Sequence, residues 1–287
     1  MRIDLEMIKN KDLLLSPVLK WVGGKRQLLD IINPLIPKNI STYVEPFVGG
    51  GAVLLDLKPK KAIINDYNAE LINVYKVIRD NPQELMLLLE KHQIKNNENY
   101  FYEIRSLDRE DSYDDMSSIE KAARIIYLNK TCFNGLFRVN QAGQFNSPYG
   151  SYKNPNIVNR PAVSAMSIYF NNNNIKIMQG DYKQALKGLR RGSFVYLDPP
   201  YLPISTSSSF TGYTEGGFTI EDQKELKRQC DRLNERGIKF LLSNSDHKII
   251  KELYQDYNII TVKARRAINS KGNKRGEINE VLVKNYE

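Results

Sequence analysis

Ser41-Thr42-Tyr43-Val44-Glu45-Pro46-Phe47, followed by Val48-Gly49-Gly50-Gly51, Ala52-Val53-Leu54-Leu55-Asp56-Leu57 and Lys61-Ala62-Ile63-Ile64-Asn65-Asp66, is the stretch that decides the fold. The first block reads as a short strand, the glycines as a turn, the third block as a helix start, and the last as a buried strand ending on an acid. Strand, glycine turn, helix and strand within about 25 residues open a doubly wound α/β sheet. Outward from there, Asn68 to Lys91 has helical apolar spacing, and Asp80-Asn81-Pro82 ends one helix and starts another. Ile119 to Asn129 reads as a further helix. From Thr131 to Asn159 periodicity fails, in a stretch rich in Asn, Gly, Ser, Tyr and Phe.

The α/β rhythm resumes at Ile175-Lys176-Ile177-Met178 and Gly180-Asp181. A strand from Ser193 to Leu197 runs into Asp198-Pro199-Pro200-Tyr201. A Ser/Thr/Gly-rich loop (203–217), a helix from Ile220 to Arg236 and a strand from Lys239 to Ser243 come next. Tyr257 to Ala267 and Glu277 to Asn285 are expected to pair as a terminal hairpin. The interval from Asp66 to Phe194 is too long for ordinary crossovers in one sheet. An inserted, mainly helical domain is therefore expected at residues 68–163, splitting an α/β domain formed by 1–67 and 164–287.

The chain has 287 residues, 41% hydrophobic and 26% charged, values of a globular protein that exclude wholesale disorder and collagen. Its longest aliphatic run, Leu85 to Leu89, is too short to span a bilayer, and no apolar stretch of signal-peptide length opens it. A cytoplasmic location is expected. Two unclustered cysteines, Cys132 and Cys230, and two histidines, His92 and His247, leave little room for a disulfide scaffold, a zinc site or a Ser-His-Asp hydrolase, so no metal is expected. The net charge is +9, and its distribution says more than its size. Lys121 to Ala165 and Lys263 to Gly276 each carry six Lys/Arg and no acid, whereas Asp108 to Glu120 is acidic. Two acid-free basic segments point to nucleic acid rather than to a surface that is basic by chance.

Three motifs could carry chemistry. Phe47-Val48-Gly49-Gly50-Gly51 lets a cofactor approach the backbone at a helix start, and Asp66, 21 residues past Glu45, could accept from ribose hydroxyls. The third position of a dinucleotide fingerprint is Leu54, which fits a nucleoside cofactor without a pyrophosphate better than NAD. Trp21-Val22-Gly23-Gly24-Lys25-Arg26 fails as a P-loop, because Leu19 stands where the first glycine belongs and Arg26 where a Ser or Thr belongs. Trp21 reads equally as a ligand contact or as a core side chain beside a turn. The sharpest signal is Asp198-Pro199-Pro200-Tyr201, delivered by a buried strand to the carboxyl edge where α/β sheets hold ligands. The prolines stiffen the turn. Asp198 and the Pro199 carbonyl could accept both hydrogens of an exocyclic amine, and Tyr201 offers a face for a flat base.

These motifs, in this order, resemble those of S-adenosylmethionine-dependent amino-methyltransferases, and more closely the Dam family of DNA adenine methyltransferases with its DpnM-like modification enzymes. The matching pieces also include Leu19-Lys20-Trp21-Val22-Gly23-Gly24-Lys25, Ile64-Asn65-Asp66, Phe133-Asn134-Gly135-Leu136-Phe137-Arg138, Phe145-Asn146-Ser147-Pro148-Tyr149-Gly150, Gly180-Asp181-Tyr182 and Ser209-Phe210-Thr211-Gly212-Tyr213. The resemblance implies a Rossmann-like methyltransferase sheet with an inserted DNA-recognition domain. It implies S-adenosylmethionine held by Trp21, Lys25, Phe47, Gly49, Gly51, Asp66, Asp181 and Asp198, and an adenine turned out of double-stranded GATC into the corner of Asp198, Pro199 and Tyr201. It places Phe133 as a wedge in the duplex, with Asn134, Leu136, Arg138 and Pro148 touching DNA and Arg138 reading a guanine. Phe133 stands where some relatives carry Tyr, which keeps the stacking face and loses the hydroxyl. A cognate restriction endonuclease is a possible partner. N4-cytosine methylation, RNA methylation and a DNA-binding regulator without turnover are the rival expectations. The intact Asp-Pro-Pro-Tyr and glycine motifs speak against the regulator.

Overall fold

The computed structural model describes residues 15–202, 218–265 and 277–287. The expected 203–217 loop, the Ser209–Tyr213 motif and most of the basic stretch after Arg265 lie outside them. Seven strands form one sheet in the order β3-β2-β1-β4-β5-β7-β6. They are β1 (Thr42–Glu45), β2 (Lys61–Asp66), β3 (Asn174–Gln179), β4 (Ser193–Leu197), β5 (Lys239–Ser245), β6 (Asn258–Arg265) and β7 (Glu277–Lys284). β1 pairs in parallel with β2 and β4, and β4 with β5. β7 runs antiparallel between β5 and β6. The sheet is mixed α/β, as the opening stretch requires. The expected terminal hairpin is the β6–β7 pair, and β7 is the strand that inserts beside β5.

The chain divides into two compact units. One comprises the described residues of Lys25–Val48, Lys61–Tyr67 and Met178–Glu287. Its core packs Val195 and Leu197 of β4, Phe240 and Leu242 of β5 and Val281 and Val283 of β7 with Leu226, Cys230 and Leu233. These last three lie on the helix Ile220–Glu235. The other unit comprises the described residues of Met1–Gly24, Gly49–Lys60 and Asn68–Ile177. It contains the whole of 68–163 and adds the flanking pieces, the glycine turn among them.

The helices of the chain are α1 (Leu29–Ile32), α2 (Ala52–Leu57), α3 (Ala69–Asp80), α4 (Pro82–Lys95), α5 (Glu98–Ser106), α6 (Ser118–Thr131), α7 (Arg160–Asn172), α8 (Lys183–Leu186), α9 (Ile220–Glu235) and α10 (Lys248–Leu253). Their ends follow local chemistry. The Asn68 side chain accepts from Leu71 N at the start of α3, Pro82 sits in the first turn of α4, and Ser117 and Glu120 form a capping box on α6. In the helical unit α3, α4, α6 and α7 bury Leu71, Ile78, Leu85, Leu89, Ile125, Ile126, Met166 and Phe170. Helix α7 has no counterpart in the sequence reading. Asn159, ahead of it, has φ 42° and makes no side-chain cap, although Pro161 stands in the first turn and Asn173 follows the last.

Candidate active site

In the sheet unit, β4 is buried along its whole length and ends at Asp198. Lys25, in a single 3-10 turn (Lys25–Leu28), places its ammonium 2.9 Å from Asp198 Oδ1 and 4.0 Å from Glu280 Oε2, with the lysine side chain only 5% exposed. The Tyr201 hydroxyl donates to Glu280 Oε2 at 2.8 Å, and Lys25 Nζ lies 4.8 Å from the Tyr201 ring centroid. Burial pushes the Asp198 carboxyl up to about 6, against the pull of the Lys25 ammonium. The same burial raises the Tyr201 hydroxyl, which stays protonated and donating. The loop is pinned from behind. Gln223 of α9 donates to the Pro200 carbonyl at 3.0 Å and accepts from Asn244 of β5 at 3.0 Å, while Ser245 Oγ donates to the Leu202 carbonyl at 3.2 Å. None of the described residues donates to the Pro199 carbonyl.

At the ends of β1 and β2, Asn65 acts as a staple. Its fully buried amide donates to the Pro46 carbonyl at 3.0 Å and the Gly180 carbonyl at 2.9 Å, and its own carbonyl accepts from Val48 N at 2.9 Å. Asp66 is half-buried at the tip of β2, and its carbonyl accepts from Gly180 N. Phe47 stacks on Tyr182 with ring centroids 4.9 Å apart. Asp181 is exposed and engages Lys183, at 2.8 Å to the backbone N and 3.1 Å to Nζ. Lys25, Phe47, Asp66, Asp181, Asp198, Pro199 and Tyr201 therefore all lie in this unit, Lys25 in its 3-10 turn and the others on strand ends and the turns after them. Asn65 Oδ1 is buried without a hydrogen-bond partner among the described residues. An unmet acceptor beside two acid-tipped strand ends suits a polar, donor-bearing nucleoside.

In the helical unit, Gly49 and Gly51 have φ 48° and 69°, values that favour glycine. A Cβ on Gly49 would come within 3.0 Å of the Trp21 ring, and one on Gly51 within 2.9 Å of Tyr75 Oη. Tyr75 donates to the Gly49 carbonyl at 2.6 Å. Trp21, half-buried, stacks on Phe137 at 4.9 Å.

Phe133, Asn134, Leu136, Arg138 and Pro148 gather on one hairpin, closed by the bridges Cys132↔Tyr149 and Val139↔Phe145. Phe133 is 51% exposed, its N–H bonded to the Pro148 carbonyl at 2.9 Å, and Asn134 is left-handed at φ 58°. Arg138 is exposed, and Asn146 steadies it by accepting from Nε at 2.6 Å and through its carbonyl at 3.1 Å. The hairpin is anchored by side chains from elsewhere in its unit. Asp108 Oδ2 accepts from Phe145 N at 2.7 Å and from the buried Arg124 at 2.7 Å, and Arg109 donates to the Phe145 carbonyl at 2.8 Å.

The family model described as D12 class N6 adenine-specific DNA methyltransferase matches residues 21–268. The chain belongs to this family. It is 47% identical over 98% of its length to the Type II methyltransferase M1.LlaDCHI of Lactococcus lactis subsp. cremoris, covering 99% of that protein. It is 41% identical over 94% of its length to the Type II methyltransferase M.MjaIII of Methanocaldococcus jannaschii, covering 99% of it. To the DNA adenine methylase of Escherichia coli K12 it is 34% identical over 92% of its length, covering 93% of that chain. The protein is an N6-adenine DNA methyltransferase that acts on DNA with a methyl donor, and N4-cytosine and RNA methylation fall away as readings of its activity. No helix among the described residues of the methyltransferase is long and apolar enough to cross a membrane.

Sequence reasoning missed Glu280, Gln223 and Asn244. Gln223 and Asn244 are polar side chains at fully buried positions, a signal visible only once the neighbouring strands are known. Glu280 alternates with Val281 and Val283 in a strand, and an acid at an inward position of such a run is the one hint the sequence held.

Proposed function

We propose that the methyl donor is S-adenosylmethionine and that the target is the adenine of double-stranded GATC, turned out of the helix into the corner formed by Asp198, Pro199 and Tyr201. The observation that carries this is the Lys25–Asp198 pair at 2.9 Å beneath Tyr201. It is a buried carboxylate kept in place by an ammonium, with a flat ring and the Pro199 carbonyl at its side. Such a corner matches an exocyclic amine on a planar base. When bound, S-adenosylmethionine supplies a methyl group activated by its sulfonium. Lys25, Phe47, Asp66, Asp181 and Asp198 in the sheet unit, and Trp21, Gly49 and Gly51 in the helical unit, are the residues we assign to holding it.

The chain's own work is positional and electrostatic. N6 is inaccessible inside a stacked duplex, so extrusion costs roughly a few kcal/mol, part of which stacking on Tyr201 returns. Asp198 and the Pro199 carbonyl accept the two N6 hydrogens and so orient the nitrogen lone pair. Holding the reactants in one geometry replaces a bimolecular encounter with a unimolecular step. Asp198 then takes the proton that the methylated nitrogen sheds. We assign target reading to residues 68–163, with Phe133 as the wedge, Arg138 on a guanine and Asn134, Leu136 and Pro148 beside it. Catalysis falls to 1–67 and 164–287. We assign the protein a cytoplasmic role in restriction–modification, with a cognate endonuclease cutting the same site, or in DNA marking; relatives named Type II methyltransferase and DNA adenine methylase favour these roles. Expression in a host lacking GATC methylation tests the reading. Genomic DNA should become resistant to an endonuclease that needs unmethylated GATC and sensitive to one that needs it methylated. Unchanged digestion would refute the target.

A further inference from the structure

We infer that Glu280, at the middle of β7, is a positioning residue of the transfer site: it holds the Tyr201 hydroxyl and shares the Lys25 ammonium with Asp198, giving the site a second carboxylate for one cation. The inference rests on the placement of Asp198 and Tyr201 at the reacting nitrogen. Glu280 lies opposite Ser245 of β5 and Val262 of β6, so its backbone is fixed by strands on both sides. A carboxylate there, 8% exposed, is costly to bury unless it is paired. Its partners are Tyr201 Oη at 2.8 Å and Lys25 Nζ at 4.0 Å, both of which also face Asp198.

Two consequences follow from this geometry. The Tyr201 ring is fixed at its far end, so the stacking surface cannot swing away as a base arrives. Two carboxylates beside one ammonium leave an excess of negative charge where an attacking amine becomes cationic, and a preorganised charge of that sign favours the transition state over the neutral ground state. Among the described residues, the charged and titratable groups around Asp198 are Lys25 from the 3-10 turn, Tyr196 from β4, Tyr201 from its own loop, Glu280 from β7 and, beyond Tyr196, Glu45 of β1. Among them Glu280 raises the Asp198 carboxyl and Lys25 lowers it. Removing the Glu280 charge therefore makes Asp198 a stronger acid.

The test compares Glu280→Gln, which keeps an acceptor for Tyr201 and deletes the charge, with wild type and Asp198→Asn. Thermal melting, kcat, KM for duplex DNA and KM for S-adenosylmethionine are measured, with kcat followed across pH. Glu280→Gln is expected to melt like wild type, to lose about ten-fold in kcat with both KM values near wild type, and to show an acid limb displaced to lower pH. Unchanged kcat and limb overturn the inference, and so does a lower kcat with the limb unmoved, which marks mere packing. If Glu280→Gln does not fold, Tyr201→Phe carries the test. It keeps the ring and removes the hydroxyl that Glu280 holds and that also faces Asp198, so a kcat lowered with both KM values near wild type upholds the inference, and a wild-type kcat or a loss confined to KM for duplex DNA overturns it. Transfer surviving in Asp198→Asn contradicts the catalytic reading of Asp198 itself. An inactive Asp198→Asn beside a wild-type-like Glu280→Gln contradicts the Glu280 assignment alone.

Discussion

A carboxylate that must accept from an amine has to be ionised, and burial works against that at Asp198. Its folded value near 6 lies above the ordinary aspartate value of about 4. The sign of the consequence is fixed. Because the folded state holds this proton more tightly than the unfolded chain, Asp198 burdens stability above about pH 6 and the burden lifts as pH falls toward 4. Activity runs the other way. We predict that kcat/KM falls on the acid side with an apparent midpoint near 6, measured as methyl transfer between pH 5 and 8. A midpoint near 4 would show that Asp198 is not the group that titrates. Asp198→Asn should lower turnover by about 10²–10⁴-fold and keep the fold. The residue scale is also where the sequence was most legible. Asp198-Pro199-Pro200-Tyr201 is contiguous, so its chemistry could be read without the fold. Lys25 and Glu280, 173 and 82 positions from Asp198, reach it only through tertiary structure, and the one local hint of Glu280 is an acid within an apolar strand run.

At the scale of elements, the hairpin from Cys132 to Tyr149 explains why periodicity failed there. It is not held by a regular ladder but by Asp108, Arg109 and Arg105, which bond the backbone at Phe145 and Ser147 from outside the segment. A loop ordered by distant side chains has no period to detect. The acidic run from Asp108 to Glu120 contains one member, Asp108, that is buried against Arg124. Asp108→Ala should therefore cost about 3–5 kcal/mol, because it leaves the Arg124 guanidinium, 1% exposed, short of its nearer carboxylate. Denaturant unfolding measures this, and a loss below 1 kcal/mol would show that Glu70, 3.7 Å from Arg124, is a sufficient partner alone. Strands β1, β2 and β4 were legible because each is a short apolar run ended by turn residues. Helix α7 was not, because its N-terminus makes no side-chain cap and it follows the unreadable hairpin.

For the whole molecule, the excess of 42 Lys and Arg over 33 Asp and Glu sets the interaction with a polyanion. Counterion release predicts that log affinity for duplex DNA falls linearly with log salt, by about 0.9 per phosphate neutralised. Replacing Lys271, Lys274 and Arg275 by Ala should flatten that slope, measured by titration at several salt concentrations. An unchanged slope would mean that this basic segment does not meet phosphate. The most direct measurement is methylation of a GATC duplex with isotopically labelled S-adenosylmethionine, followed by digestion to nucleosides and mass spectrometry. The account predicts label in N6-methyldeoxyadenosine from the GATC duplex, none from a scrambled duplex, and labelling slowed about 10²–10⁴-fold with Asp198→Asn. Label on cytosine, equal labelling of the scrambled duplex, or full labelling by Asp198→Asn would contradict it.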